Sequence, residues 1–214
     1  MRYPKKLLVL FTFFAGAVGL LGGFVLYQSS LGRTVPQPDI PGFLWPNPKA
    51  LTAFNLEDHS GRAFNLNRLK GKWTFLFFGY THCPDVCPVA LSVLADVERR
   101  LSKAKQPLEN VQVVFVSLDP QRDNQERLQQ YVQYFNPSFL GVTGDEAQLA
   151  DLTRQLGIVH TIVDRGSSDN YLVDHTASIL LTDPQTRLVA VFGFPHNAET
   201  ISSRFVTIRE FLEG

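Results

Sequence analysis

At 214 residues, 44% of them hydrophobic, the chain has room for one domain of ordinary size plus an appendage. Its 20 Lys+Arg balance 20 Asp+Glu, so no global field favours nucleic acid or an anionic membrane surface, and any partner must be recognised locally. Two cysteines four positions apart cannot form a disulfide framework, and with Met1 the only methionine, a thioether-rich metal site is excluded from the domain.

Residues 7–27 run LLVLFTFFAGAVGLLGGFVLY without a charge, 21 residues that suffice to cross a hydrocarbon core of roughly 30 Å as a helix. Arg2, Lys5 and Lys6 precede this run, so residues 1–6 are expected in the cytoplasm and everything after Tyr27 outside it, in the periplasm. A cleaved signal peptide is the alternative, but its apolar region is usually only about 7–15 residues and no small-residue cleavage site follows. Pro36, Pro38, Pro41, Pro46 and Pro48 make residues 28–50 a stiff spacer, and the folded domain is expected over residues 51–214.

Residues 54–56 and 63–66 flank the turn-rich Glu57-Asp58-His59-Ser60-Gly61 and predict an early hairpin. The apolar runs 73–78 (WTFLFF) and 111–118 (VQVVFVSL) predict buried central strands. Leu94, Val97 and Leu101, then Leu128, Tyr131, Val132 and Phe135, then Leu149, Leu152 and Leu156 carry helical periodicity. The third of these helices is expected to open with a capping box from Thr143 to Glu146 and to end at Gly157. An irregular loop over about 161–170 follows, then a hairpin of 177–182 and 188–192 turned at Asp183-Pro184-Gln185, then a last helix over about 198–212. Strands alternating with helices and ending in hairpin plus helix predict an α/β fold with a mixed sheet flanked by helices.

Cys83 and Cys87, in FFGYTHCPDVCPVAL, fall at a strand-to-helix junction, where free amides and the helix dipole favour thiolate. The i, i+4 spacing places both sulfurs on one face, able to share a metal ion or to close a local disulfide. Spacing alone does not choose between them. Thioredoxin-type oxidoreductases space their cysteines three apart, which argues mildly against a general disulfide exchanger. A selective two-thiolate metal site needs a further donor, and His175, in VDHTAS just before a predicted strand, is the candidate. A hydrogen-bonded surface histidine is the competing account of it. His82 is expected to diverge from Cys83 and serve structure, while His59, His160 and His196 are expected to be solvated. Asp85 and Asp174 divide evenly between orienting or docking roles and plain capping or surface positions.

FFGYTHCPDVCPVAL, VSLDPQRDNQERLQQYV, FLGVTG and YLVDHTASILLTDP together resemble the successive signatures of the Sco/SenC family, in that family's order, across nearly all of residues 51–212. The resemblance implies a thioredoxin-like domain behind one N-terminal transmembrane helix, holding one copper ion, Cu(I) or Cu(II), through Cys83, Cys87 and His175. It further implies a metallochaperone that helps assemble the binuclear copper centre of cytochrome c oxidase, with the copper-bearing oxidase subunit and other copper chaperones as partners. The absence of a Ser/Arg-rich transit segment favours a bacterial member, single-pass in the inner membrane, over a mitochondrial one, and because the apolar run is the only segment that demands lipid, the domain after it is expected to be soluble and monomeric. A thiol-disulfide reductase cycling Cys83 and Cys87, or a redox or copper sensor, uses the same residues. A peroxide-reducing function is disfavoured, because the threonine expected three residues before the peroxidatic cysteine is Pro84.

Overall fold

The computed structural model describes residues 19, 21–23, 39–44, 46–164 and 171–214. Residues 19 and 21–23 are helical, and the rest of the expected transmembrane run lies outside the described residues. Among the described residues no helix is long and apolar enough to cross a membrane. Residues 1–37 and 38–214 form separate units.

In the second unit ten strands, β1 (Lys49–Ala50), β2 (Asn55–Asp58), β3 (Ala63–Asn65), β4 (Trp73–Gly79), β5 (Val111–Ser117), β6 (Leu140–Thr143), β7 (His160–Asp164), β8 (Tyr171–His175), β9 (Ile179–Thr182) and β10 (Arg187–Phe192), alternate with five helices. The helices are α1 (Leu66–Leu69), α2 (Val86–Lys103), α3 (Gln125–Phe135), α4 (Glu146–Leu156) and α5 (Ala198–Glu213). Eight strands form one mixed sheet in the order β1-β10-β9-β4-β5-β6-β2-β3, while among the described residues β7 and β8 pair only with each other.

β4 and β5 lie at the centre, parallel, in register from Trp73↔Val111 to Gly79↔Ser117. Their near-continuous apolar sequence is what burial on both faces demands. One face of β4 presents Trp73, Phe75, Phe77 and Gly79 in alternation. Trp73 and Phe75 pack on Phe205 of α5, with centroids 5.6 and 5.3 Å apart, and Phe77 stacks on Phe115 of β5 at 6.4 Å. Phe115 in turn meets Tyr131 of α3 at 5.4 Å. Gly141 of β6, beside Phe115, lets α3 come so close that an added Cβ would sit 3.0 Å from the Leu128 Cβ. This aromatic row runs towards the carboxyl ends of β4 and β5, where functional groups of parallel sheets gather.

The early hairpin, both central strands and the β9–β10 hairpin form where the sequence predicts. Three expectations need correction, and one strand goes unforecast. Residues 39–50 are not all spacer: β1 pairs with β10, Phe43 bridges to Ala190, and the Leu44 amide donates to the Val189 carbonyl at 2.8 Å. Ile40, Phe43 and Leu44 are partly buried against the core, which holds this otherwise exposed stretch on the domain despite its prolines. The cap of α4 is Asp145, whose carboxylate accepts from the Gln148 amide while Gln148 reaches back to Asp145, because Thr143 is committed to β6. The strand β6 itself has no forecast. The loop expected over 161–170 has paired arms, β7 and β8, held from His160↔His175 to Asp164↔Tyr171.

Candidate metal centre

Cys83 lies in the turn between β4 and α2, its amide donating to the Tyr80 carbonyl at 3.2 Å. Asp85 caps α2 by position only, since its side chain makes no capping bond, and Pro88 occupies the first turn, where its missing amide costs nothing. Cys87, one residue into the helix and fully buried, faces down onto β4. Gly79 makes room for it: a Cβ there would lie 2.5 Å from the Cys87 Sγ and 3.0 Å from the Phe115 ring. Cys83 is half-buried, and neither cysteine is in a disulfide.

His175, the last residue of β8, comes across to this turn. Its Nε2 is 3.5 Å from the Cys87 Sγ, and the two sulfurs and the imidazole nitrogen all lie within 4.8 Å of one another. The ring is wedged edge-on against Phe77 and Tyr80, each at 6.1 Å. Its Nδ1 sits 3.1 Å from the Thr176 carbonyl, an acceptor that holds the ring with its Nε2 edge towards the sulfurs. The structure thus brings together all three residues singled out as ligands.

The two thiols divide one proton unequally. A hydrogen bond from Cys87 is the largest influence lowering the Cys83 pKa, and His175 and the Asp85 and Cys87 amides add to it against the cost of burial. Cys87 is pushed up by that same bond, by burial and by the neighbouring Cys83 charge. One thiolate beside one thiol and an imidazole lone pair is a soft, compact donor set. Metal–ligand bonds of about 2.0–2.3 Å would require only a small contraction of these atoms around an ion.

His82 turns away from Cys83, as expected, its Nδ1 3.2 Å from Thr81 Oγ1 and 3.5 Å from an Asp123 oxygen. His82, Asp119 and Asp123 form a second tight cluster, but both carboxylates are already committed. Asp123 accepts from the Thr81 amide, Thr81 Oγ1 and Ser117 Oγ at 2.6–2.8 Å, and Asp119 from Tyr171 Oη and Arg122 Nε, each at 2.5 Å. Asp85, Asp174 and His160 are exposed. The forecasts for two histidines fail. His59 is buried, its Nδ1 accepting from the Gly141 amide at 3.0 Å, and burial lowers its pKa. His196 packs edge-on against Phe77 at 6.2 Å, and burial lowers its pKa although the Phe192 and Ala177 carbonyls oppose this.

Residues 46–210 match the family model SCO1/SenC. The chain belongs to the SCO1/SenC family. A SCO2 homolog of human mitochondria is 38% identical over 149 residues, covering 70% of this chain and 56% of that protein, so the chain matches little more than half the length of such relatives. Among solved structures, copper-bound ScoI of Arabidopsis thaliana is 32% identical, covers 74% of this chain and 98% of that one, and superposes with a TM-score of 0.68. Copper-bound ScoI of Bradyrhizobium japonicum is 35% identical, with coverages of 72% and 96% and a TM-score of 0.65. The fold is accordingly the thioredoxin-like one of SCO1/SenC proteins. The sequence singles out the three candidate ligands that the fold brings together. The seat at Gly79 and the carboxylates Asp119 and Asp123 escape a search for ligand types, although FFGY and DPQRD lie in plain sight.

Proposed function

We propose that the chain is a copper metallochaperone that holds one copper ion through Cys83, Cys87 and His175 and passes it, as cargo, to the copper-bearing subunit of cytochrome c oxidase. The observation that carries this is the approach of His175 Nε2 to within 3.5 Å of the Cys87 sulfur. Exchange between dithiols needs no imidazole, whereas a site for both oxidation states of copper does, since Cu(I) is content with thiolates and Cu(II) favours nitrogen. Delivery to the oxidase rests on family membership, the Sco family being one of cytochrome c oxidase assembly proteins. Residues 7–27 anchor the chain in the bacterial inner membrane with residues 38–214 in the periplasm, on the strength of the charge-free run and the cations before it.

A thiol-disulfide reductase is the second reading. It is favoured by the unequal thiols, a half-buried Cys83 of lowered pKa before a buried Cys87, as an attacking and a resolving sulfur would be. His175→Ala separates the two. It should retain Cu(I) binding and reduction of a model disulfide, while Cu(II) affinity collapses, the thiolate-to-copper absorption changes and oxidase assembly fails at limiting copper. Normal assembly with an unchanged Cu(II) spectrum would make the reductase the better account.

A further inference from the structure

The three ligands stand on two pieces of structure with no strand pairing between them. Cys83 and Cys87 belong to the β4–α2 turn of the main sheet, and His175 to the β7–β8 ribbon, which pairs only with itself. β8 touches β4 and leads through residues 176–178 into β9, and the distance from its imidazole to the sulfurs depends further on what fastens the ribbon to the cysteine turn.

The segment 119–123, leaving the carboxyl end of β5, makes that fastening at both ends. Asp123, with no exposed side-chain surface, accepts from the amide and hydroxyl of Thr81, two residues before Cys83, and from Ser117 Oγ. Asp119, with a side chain only 2% exposed, accepts from Tyr171 Oη. Between them Arg122 pairs with Asp119, donates from Nη1 to the Tyr171 carbonyl at 3.2 Å, and lays its guanidinium over the Tyr171 ring at 3.5 Å and the Tyr80 ring at 5.7 Å. Tyr171 opens the strand that His175 closes. Burial, with the hydrogen bond to Asp119, pushes the Tyr171 phenol up to about 12, so it remains a donor throughout the neutral range. Two buried carboxylates are costly unless every oxygen is engaged. Here all four oxygens are engaged, at the seam between the two ligand-bearing pieces.

We propose that segment 119–123 is a positioning strap that locks the His175 ribbon to the cysteine turn and so sets the imidazole-to-thiolate geometry. Asp119, Arg122 and Tyr171 are positioning residues that act through His175. Asp123 does the same for the turn that carries Cys83. The proposal rests on the three-ligand reading of the copper site.

The test uses the full-length reduced chain with Tyr171→Phe, which deletes one hydroxyl from the strap, and Arg122→Lys, which keeps the charge and loses the stacked fork. In the metal-free protein, nuclear Overhauser contacts between the His175 ring and the Tyr80 and Phe77 rings should weaken in both variants. Titrated with copper(II), they should lose about 10- to 100-fold in affinity, as the loss of partners that orient a metal ligand does, with a shifted thiolate-to-copper band. Copper(I) affinity should stay at the wild-type value, since two thiolates suffice for it. Unchanged ring contacts, or equal losses for copper(I) and copper(II) that follow a fall in melting temperature, would overturn the strap. If copper(II) binding by the wild type is indifferent to His175→Ala, the three-ligand reading falls, and the ring contacts still decide whether the ribbon is strapped.

Discussion

At the scale of single residues, the candidate metal centre depends on a side chain that glycine lacks. Gly79 ends β4 directly beneath Cys87, and its lack of a side chain is what lets a buried sulfur rest on the sheet 3.5 Å from His175 Nε2. In Gly79→Ala the new methyl would overlap the sulfur at 2.5 Å and press on the Phe115 ring, which is held in turn by Phe77 and Tyr131. Overpacking of this kind costs about 1–3 kcal/mol. The expected outcome is a folded protein of lower melting temperature whose copper(I) affinity falls, because the shifted helix turn parts the two sulfurs. A competition titration that gives wild-type copper(I) affinity would mean that Cys87 can move without loss.

At the scale of elements, two hairpins use one device. Asp58 accepts from the Ser60 and Arg62 amides and from the Arg62 guanidinium, and Asp183 does the same with Gln185 and Arg187. An Asp with an Arg four residues on thus closes the β2–β3 turn (DHSGR) and the β9–β10 turn (DPQTR) alike. Burial raises the Asp58 pKa, but the two amides and Arg62 outweigh it and hold the carboxyl below its ordinary value, and Arg68 adds an ion pair at 3.2 Å. A lowered native pKa means stability that is present above the unfolded-state value of about 3.9 and is lost as pH falls through the native one. Asp58→Asn should therefore melt below the wild type at neutral pH, by an amount on the order of 1–3 kcal/mol, and the gap should close on acidification below about pH 4. Thermal melts between pH 7 and pH 3 that keep a constant gap would contradict this.

Which elements the sequence discloses follows from how each is stabilised. β4 and β5 are buried on both faces and read as unbroken apolar runs, and α2, α3 and α4 each bury one stripe, so composition and period reveal them. The β7–β8 ribbon lies outside the main sheet and leaves Ile162 and Val163 of β7 exposed, so that arm lacks the alternation of a half-buried strand, although Thr161, Ile162 and Val163 are β-branched. β6 is four residues long and includes a glycine that serves the approach of α3. His59 escapes because a buried imidazole bonded to a backbone amide looks, in sequence, like any histidine in a polar turn. The candidate ligands are legible for a different reason: Cys83 and Cys87 are the chain's two cysteines, four apart at a strand-to-helix junction, while His175 stands out by its place in VDHTAS just before a strand and not by its residue type.

For the whole molecule, the edge of the sheet decides where the folded unit begins. The mixed sheet would end at β10 but for the stretch 39–50, which covers that edge through β1, the Phe43–Ala190 bridge and hydrogen bonds at Leu44 and Val191. Gly42 permits the close crossing: it adopts a φ of +83°, and a Cβ there would lie 2.0 Å from the Val191 carbonyl oxygen. Phe43 also meets Phe211 of α5 edge-on at 5.8 Å, which ties the covering segment to the last helix. A fragment starting at Val35 should leave the membrane fraction on carbonate washing and run as a monomer, because the charge-free run 7–27 is gone and the edge is still covered. A fragment starting at Leu51 loses the hydrogen bonds from Leu44 to Val189 and from Val191 to Gly42, each worth about 1 kcal/mol, together with the packing of Ile40, Phe43 and Leu44. It also bares Leu188 and Ala190 on an unpaired strand, which invites edge-to-edge association. Melting temperature and light scattering should thus separate the two fragments, the shorter one melting earlier and aggregating, while copper(I) affinity at low temperature stays the same because the cysteines lie at the far ends of β4 and α2 from β1. Equal melting of the two would return residues 39–50 to the role of a spacer.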